Sequence, residues 1–156
     1  MIILGVDPGL ADLGYGVISA EKHCLKAIEY GVIKTKKGLE LAERIYKIHT
    51  ELEKIIKEYK PRLLAVESLF FCQNVSSALL VGQAKGAVLL TGAQAGIKVM
   101  EFTPLQIKET ITGYGKAEKL QVQKMVKILL NLSNLPKPDH AADALAAAIT
   151  GSRYEK

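Results

Sequence analysis

Four residues in this chain carry side chains that could do chemistry together: Asp7, Glu67, His140 and Asp143. Oxygen-rich carboxylate sites suit Mg²⁺ or Mn²⁺. Two such ions, roughly 3.5–4 Å apart, can clamp the attacking and leaving oxygens of a phosphodiester. Each residue alone has a plainer reading. Asp7 precedes Pro8-Gly9 and suits a turn. Asp143 suits a first-turn acid favoured by a helix dipole. His140 alone suits a surface or hydrogen-bonded histidine. Glu67 is the hardest to read as incidental, because Leu63-Leu64-Ala65-Val66 sets its charge directly against an apolar run. Asp139 reads as a helix cap and is left out of the set.

The elements that must position these residues follow from hydropathy. Ile2 to Val6 reads as a strand buried on both faces, ending at Asp7. Gly14 to Ser19 and Lys26 to Ile33 are two more strands, joined by a polar turn at Glu21-Lys22-His23, so an antiparallel meander is expected. Leu41, Ile45, Ile48, Leu52, Ile55 and Tyr59 then form one helical stripe, stopped by Pro61. Leu63 to Val66 reads as a strand ending at Glu67. Val75 to Ala95 reads as a long helix, capped by Asn74 or Ser76. Its small stripe, Ala78, Gly82 and Gly86, suits packing either on the protein's own sheet or against a second copy. Lys98 to Phe102 is a further strand, Pro104 opens a short helix, and Thr112 to Gly115 is a loop. Val122, Met125, Val126, Leu129 and Leu130 mark an amphipathic helix broken by Pro136 and Pro138. An Ala-rich helix closes the chain, running from Asp139 to about Gly151. The condensed order is βββ-α-β-α-β-α-α, which implies an α/β fold with a mixed sheet and helices on its faces.

In this reading Asp7 and Glu67 each end a strand. If those strands are parallel neighbours, both carboxylates emerge at the sheet end where open α/β sheets place their ligands. His140 and Asp143, three residues apart, share a helix face. Packed over that edge, the helix brings all four together.

The 156 residues suit one domain, 1–156, with a core of its own. Apolar residues at 49% and charged residues at 24% exclude disordered and low-complexity classes. Lys plus Arg at 21 against Asp plus Glu at 16 leaves +5, which permits a polyanionic partner without requiring one. Cys24 and Cys72 fit neither a disulfide scaffold nor a four-cysteine zinc site. The first residues lack a basic segment and a long apolar core, and Lys85 and Lys98 interrupt the longest apolar stretch. The expectation is a soluble, cytoplasmic protein with no membrane partner.

The ordered motifs resemble the RuvC family of Holliday junction resolvases. The resemblance rests on Ile3-Leu4-Gly5-Val6-Asp7-Pro8-Gly9 with Gly14-Tyr15-Gly16, then on Ala65-Val66-Glu67, Asn74 and Ser77-Ala78-Leu79. It continues through Gly82-Gln83-Ala84-Lys85-Gly86 and Gly115-Lys116-Ala117-Glu118-Lys119 to Ala141-Ala142-Asp143-Ala144-Leu145-Ala146. It implies a ribonuclease-H-like fold with a five-stranded mixed sheet flanked by helices on both faces. It also implies a homodimer and metal-dependent cutting of two opposed strands at a four-way DNA junction, leaving 5′-phosphate and 3′-hydroxyl ends. A branch-migration helicase complex is an implied partner. The family's acidic cluster falls on Asp7, Glu67 and Asp143, with His140 where the better-known pattern has Asp. Two Mg²⁺ or Mn²⁺ ions are implied. Imidazole is a less natural ligand for the harder ion. With an ordinary pKa of about 6.5, it could instead handle the proton of the attacking water.

Junction contacts are implied as well. Phe70 falls where the family sets an aromatic ring against a base at the crossover, and such stacking is worth about 1–3 kcal/mol per base. Lys108 and Lys119 match phosphate-holding positions, with Lys85 and Lys116 as weaker matches. Tyr114, between Gly113 and Gly115, lies in a loop expected to settle on DNA. Residues 98–127 hold six Lys and three acids beside the proposed site. Phosphate contacts of this kind give a salt slope of about −0.9 per phosphate. One alternative is a ribonuclease-H-fold nuclease acting on RNA. Another is a junction-binding module with little catalysis. Actin-like kinases share Asp-x-Gly phosphate loops, but 156 residues do not supply their two large lobes.

Overall fold

The computed structural model describes residues 1–22, 24–68 and 75–155. β1 (Ile2–Asp7), β2 (Asp12–Glu21) and β3 (Cys24–Lys34) form the expected antiparallel meander. After α1 (Leu41–Tyr59), β4 (Leu63–Glu67) returns parallel to β1. After α2 (Val75–Gln94), β5 (Lys98–Phe102) runs parallel to β4. The result is a five-stranded mixed sheet of order β3-β2-β1-β4-β5. Three helices follow β5, one more than the condensed order holds: α3 (Pro104–Thr112), α4 (Lys119–Leu129) and α5 (Asp139–Tyr154). α3 is a helix in its own right because Thr103 caps it, accepting from the Gln106 N–H at 3.2 Å, with Pro104 in its first turn.

Helices cover both faces of the sheet. On one face Leu4, Val6, Val17, Leu64 and Val66 pack with α1 and α2. On the other, Ile3, Ile18, Leu63, Ala65 and Phe102 pack with α3, α4 and α5. Alternation along β1 and β4 thus feeds two cores, and this is why both strands read as unbroken apolar runs. α1 ends at a left-handed Lys60 (φ 49°) ahead of Pro61. Its buried residues are Ile48, Leu52 and Ile56. Leu41, Ile45, Ile55 and Tyr59 of the expected stripe are half-buried against the same core, and Ile56 joins them because a straight 3.6-residue helix drifts relative to a strict heptad step.

α2 departs from one reading of its small stripe. Ala84, Ala87, Val88 and Thr91 face inward, whereas a Cβ added at Gly82 or Gly86 would meet nothing within 4 Å. The stripe is not packed on the protein's own sheet. By length and composition alone α2 could cross a membrane. Here it forms an outer layer, and Lys85 near its middle pairs with Glu101 of β5.

Candidate active site

Parallel pairing of β1 and β4, with Val6 opposite Val66, brings the strand-end acids Asp7 and Glu67 side by side. The third element is α5, and the sheet is shaped to receive it. Gly5, Gly14 and Gly16 form a flat track across β1 and β2. A Cβ at Gly5 would strike the Ala144 carbonyl oxygen, and one at Gly14 would strike that of His140. At Gly16 it would come within 2.7 Å of Leu145. Glycines inside strands here allow close backbone approach. Ala-rich α5 complements them, with ten of its sixteen residues buried. This seating carries His140 and Asp143 over the end of β1.

One donor atom each from Asp7, His140 and Asp143 lies within 4.8 Å of the others. His140 Nδ1 is 2.7 Å from Asp7 Oδ2. An ionised carboxylate only accepts, so Nδ1 carries the hydrogen and the Nε2 lone pair is left for another partner. The Asp7 carboxyl is raised, first by burial and then by Asp143, against the lowering hydrogen bond from His140. Glu67 lies outside the tight trio but within its field. Burial, then Asp7, then Asp143 push its carboxyl up to about 8. Half-buried carboxyls pushed up by burial and by neighbouring acids mark a place where negative charge awaits a cation. The donor set of carboxylate oxygens plus one imidazole fits a divalent ion of the Mg²⁺ or Mn²⁺ type.

Lys119, in the first turn of α4, already supplies positive charge. Its Nζ donates to Asp143 Oδ2 at 2.8 Å and lies 3.5 Å from Asp139 Oδ2. Burial would lower its pKa, but Asp143 and Asp139 hold it up. Asp139 is not the expected cap: Pro138 occupies that position and Asp139 is the first helical residue. The Asp139 side chain instead accepts from Gln123 Nε2 at 3.1 Å. That bond and Lys119 hold its carboxyl below the usual range. This α4–α5 clasp was missed in the sequence because its partners are 16 and 24 residues apart.

A groove of about 210 Å³ opens beside the acids, lined by Glu67, Lys108, Lys119 and Asp143 among others. Among the described residues, four larger cavities are lined by other side chains. Lys108 lines this groove together with Glu67, Lys119 and Asp143. Tyr114 and Lys116 are exposed on the α3–α4 connection. Lys85 sits apart, half-buried in its pair with Glu101. Phe70 and Asn74, with Phe71 and Cys72, lie outside the described residues.

A mixed sheet of this order, with acids at adjacent parallel strand ends and a helix laid over them, defines a ribonuclease-H-like protein. Residues 3–151 match the family model of crossover junction endodeoxyribonuclease RuvC, and the chain belongs to that family. It is 53% identical over 155 residues to the crossover junction endodeoxyribonuclease RuvC of Halothermothrix orenii, covering 99% of this chain and 94% of that one. The Thermus thermophilus RuvC structure superposes with a TM-score of 0.92 at 36% identity, covering 99% of this chain and 95% of the other. T. thermophilus RuvC in complex with Holliday junction substrate gives a TM-score of 0.91 at 34% identity, covering 99% and 94%.

Proposed function

We propose that this chain, acting as a single nuclease domain over 1–156, resolves four-way DNA junctions by paired, metal-dependent phosphodiester hydrolysis. The products would carry 5′-phosphate and 3′-hydroxyl ends. The observation that carries the reading is the meeting of Asp7, His140 and Asp143 within 4.8 Å, with Glu67 in the same field. Those four residues would hold Mg²⁺ or Mn²⁺, as two ions per site. The ions would supply charge neutralisation at the attacked phosphate and a nucleophilic water.

The protein groups have separable roles. Asp7, Glu67 and Asp143 provide the anionic cradle. The Nε2 lone pair of His140, its ring aligned by Asp7, serves as a ligand or as a proton acceptor. Lys108 and Lys119 at the groove hold the DNA backbone near the acids. Tyr114 and Lys116 extend that contact along the exposed loop. These contacts position the DNA without reading its sequence. Phe70, just beyond Glu67, would stack at the crossover, and Lys85 would contribute only once released from Glu101.

The working form would be a homodimer joined through α2. Support comes from its open small-residue stripe and from Leu79 and Leu90, which are 65% and 57% exposed. Two-fold symmetry presents identical sites to opposed strands of a near-symmetric junction. A cytoplasmic setting and a branch-migration helicase partner complete the proposal.

The test is incubation with synthetic four-way junctions and linear duplexes, with Mg²⁺ or Mn²⁺. Symmetric nicks confined to the junction are expected; equal cutting of RNA or linear duplex would sink the assignment. Asp7→Asn should keep junction binding and slow cutting by at least ~10²-fold, since metal stabilisation is worth several kcal/mol at 1.36 kcal/mol per decade. Full-speed cutting would remove Asp7 from the mechanism.

A further inference from the structure

Lys119 faces two acids and sits closer to one of them. Its Nζ sits 2.8 Å from Asp143 Oδ2 and 3.5 Å from Asp139 Oδ2. The acids differ in their surroundings. Asp143 is 25% exposed and belongs to the trio with Asp7 and His140. Asp139 is 64% exposed and stands at the rim. Gln123, one turn after Lys119 on α4, donates to Asp139 Oδ1 and leaves Oδ2 toward the ammonium. Asp139 is thereby held as a second berth beside the first.

A divalent ion and an ammonium compete for the same carboxylate, because both need its lone pairs and repel one another. Binding of a metal ion at Asp143 must therefore weaken the 2.8 Å contact with Lys119. We propose that Asp139 is a positioning residue that receives Lys119 when metal takes Asp143. The inference rests on the metal reading above. The shift needed is small, since the amine already lies between the two carboxylates. It serves two ends: metal entry does not leave a stranded ammonium, and the amine stays at the groove where DNA phosphate must arrive.

The prediction is a coupling between Asp139 and Lys119 in metal affinity, measured without DNA. Mn²⁺ binding to the full chain is titrated by the EPR signal of the free ion. Asp139→Asn should weaken binding about two- to fivefold, the worth of one exposed ion pair. Lys119→Gln should tighten it by a similar factor, because the competitor is gone. In the double variant Asp139→Asn should have almost no further effect, because no amine remains to be received.

An equal Asp139→Asn effect in both backgrounds would show that Asp139 acts through its charge alone and would overturn the proposal. Asp7→Asn is the control for the underlying site. Mn²⁺ binding that Asp7→Asn abolishes, without coupling between Asp139 and Lys119, defeats this inference and leaves the metal site standing. Absence of bound Mn²⁺, or binding indifferent to Asp7→Asn, defeats both.

Discussion

α5 and α2 are built from the same materials and do opposite things with them. Both are rich in Ala and Gly, and both lie on the sheet. In α5 the small residues face inward, onto Gly5, Gly14 and Gly16, and ten residues are buried. In α2 only five of the twenty residues are buried, and Gly82 and Gly86 look into open space. Close approach within the chain makes α5 the arm that sets His140 and Asp143 over Asp7. Close approach left unused makes α2 a surface suited to a second copy. Small residues on a helix specify that something comes near; the neighbouring elements decide what.

The contrast breaks most visibly at the glycines. Gly5→Val places side-chain atoms where the Ala144 carbonyl and Ala148 already are. α5 must lift, and its neighbours are backbone, which cannot yield by changing rotamer. Overpacking of this kind costs about 3 kcal/mol or more. Urea denaturation should show that loss, and junction cutting should vanish with it. Gly82→Ala adds the same first carbon into empty space and gains up to ~1 kcal/mol of helix propensity. If both substitutions destabilise the monomer equally, the two helices are not in different situations.

The outer face of α2 supplies the next test. Leu90→Glu alters a side chain that is 57% exposed, so the folded chain should keep its stability within about 0.5 kcal/mol. If α2 is the dimer seam, the same change removes an apolar contact and buries a charge. The dimer Kd should then rise by roughly 30-fold, the cost of a 2 kcal/mol hot spot. Light scattering across a dilution series measures it. A dimer unaffected by Leu90→Glu moves the seam elsewhere.

Much of this architecture is legible in the residues. β1 and β4 are apolar runs between turn signals, and Pro61 and Pro104 punctuate helices where they should. Asp7 and Glu67 were locatable because each abruptly ends such a run. The orientation of α2 was not legible, because apolar residues surround that helix and periodicity cannot say which side meets the sheet. The role of Asp139 was hidden for a different reason. A first-turn acid before an Ala-rich helix suits a cap, and only the fold of residues 130–138 brings Gln123 and Lys119 to it. Glycines in β1 and β2 did carry a signal for the seat of α5, since strand interiors disfavour them without a close neighbour.

A smaller effect separates the arm's chemistry from its packing. Without metal, the Glu67 carboxyl is raised to about 8 by burial, then by Asp7 and Asp143. In the unfolded chain it titrates near 4.5. Between those values the native state holds a proton that the unfolded chain has released, so stability falls as pH rises. Asp7, also raised, adds the same sign. Chelated protein should therefore melt several degrees lower at pH 8 than at pH 5.5. Added Mg²⁺ should restore the loss at pH 8, by binding the native cluster alone. Glu67→Gln should flatten the pH slope, whereas Leu90→Glu should leave it unchanged. A slope that survives Glu67→Gln would assign the linkage to other groups.

The finest distinction concerns His140, which rides on α5 and touches Asp7 at 2.7 Å. Because α5 is fixed by its glycine seat, His140→Asp should change charge at the site without moving the helix. The substitution replaces an imidazole by a harder oxygen donor and adds a negative charge beside Asp7. Mg²⁺, the harder ion, gains more from that exchange than Mn²⁺. The ratio of cutting rates in Mg²⁺ and in Mn²⁺ should rise by roughly five- to tenfold, equivalent to about 1–1.4 kcal/mol. Junction binding should hold. An unchanged ratio removes His140 from the ligand shell and leaves it the proton of the attacking water, in which case His140→Asp should instead alter the pH profile of cutting.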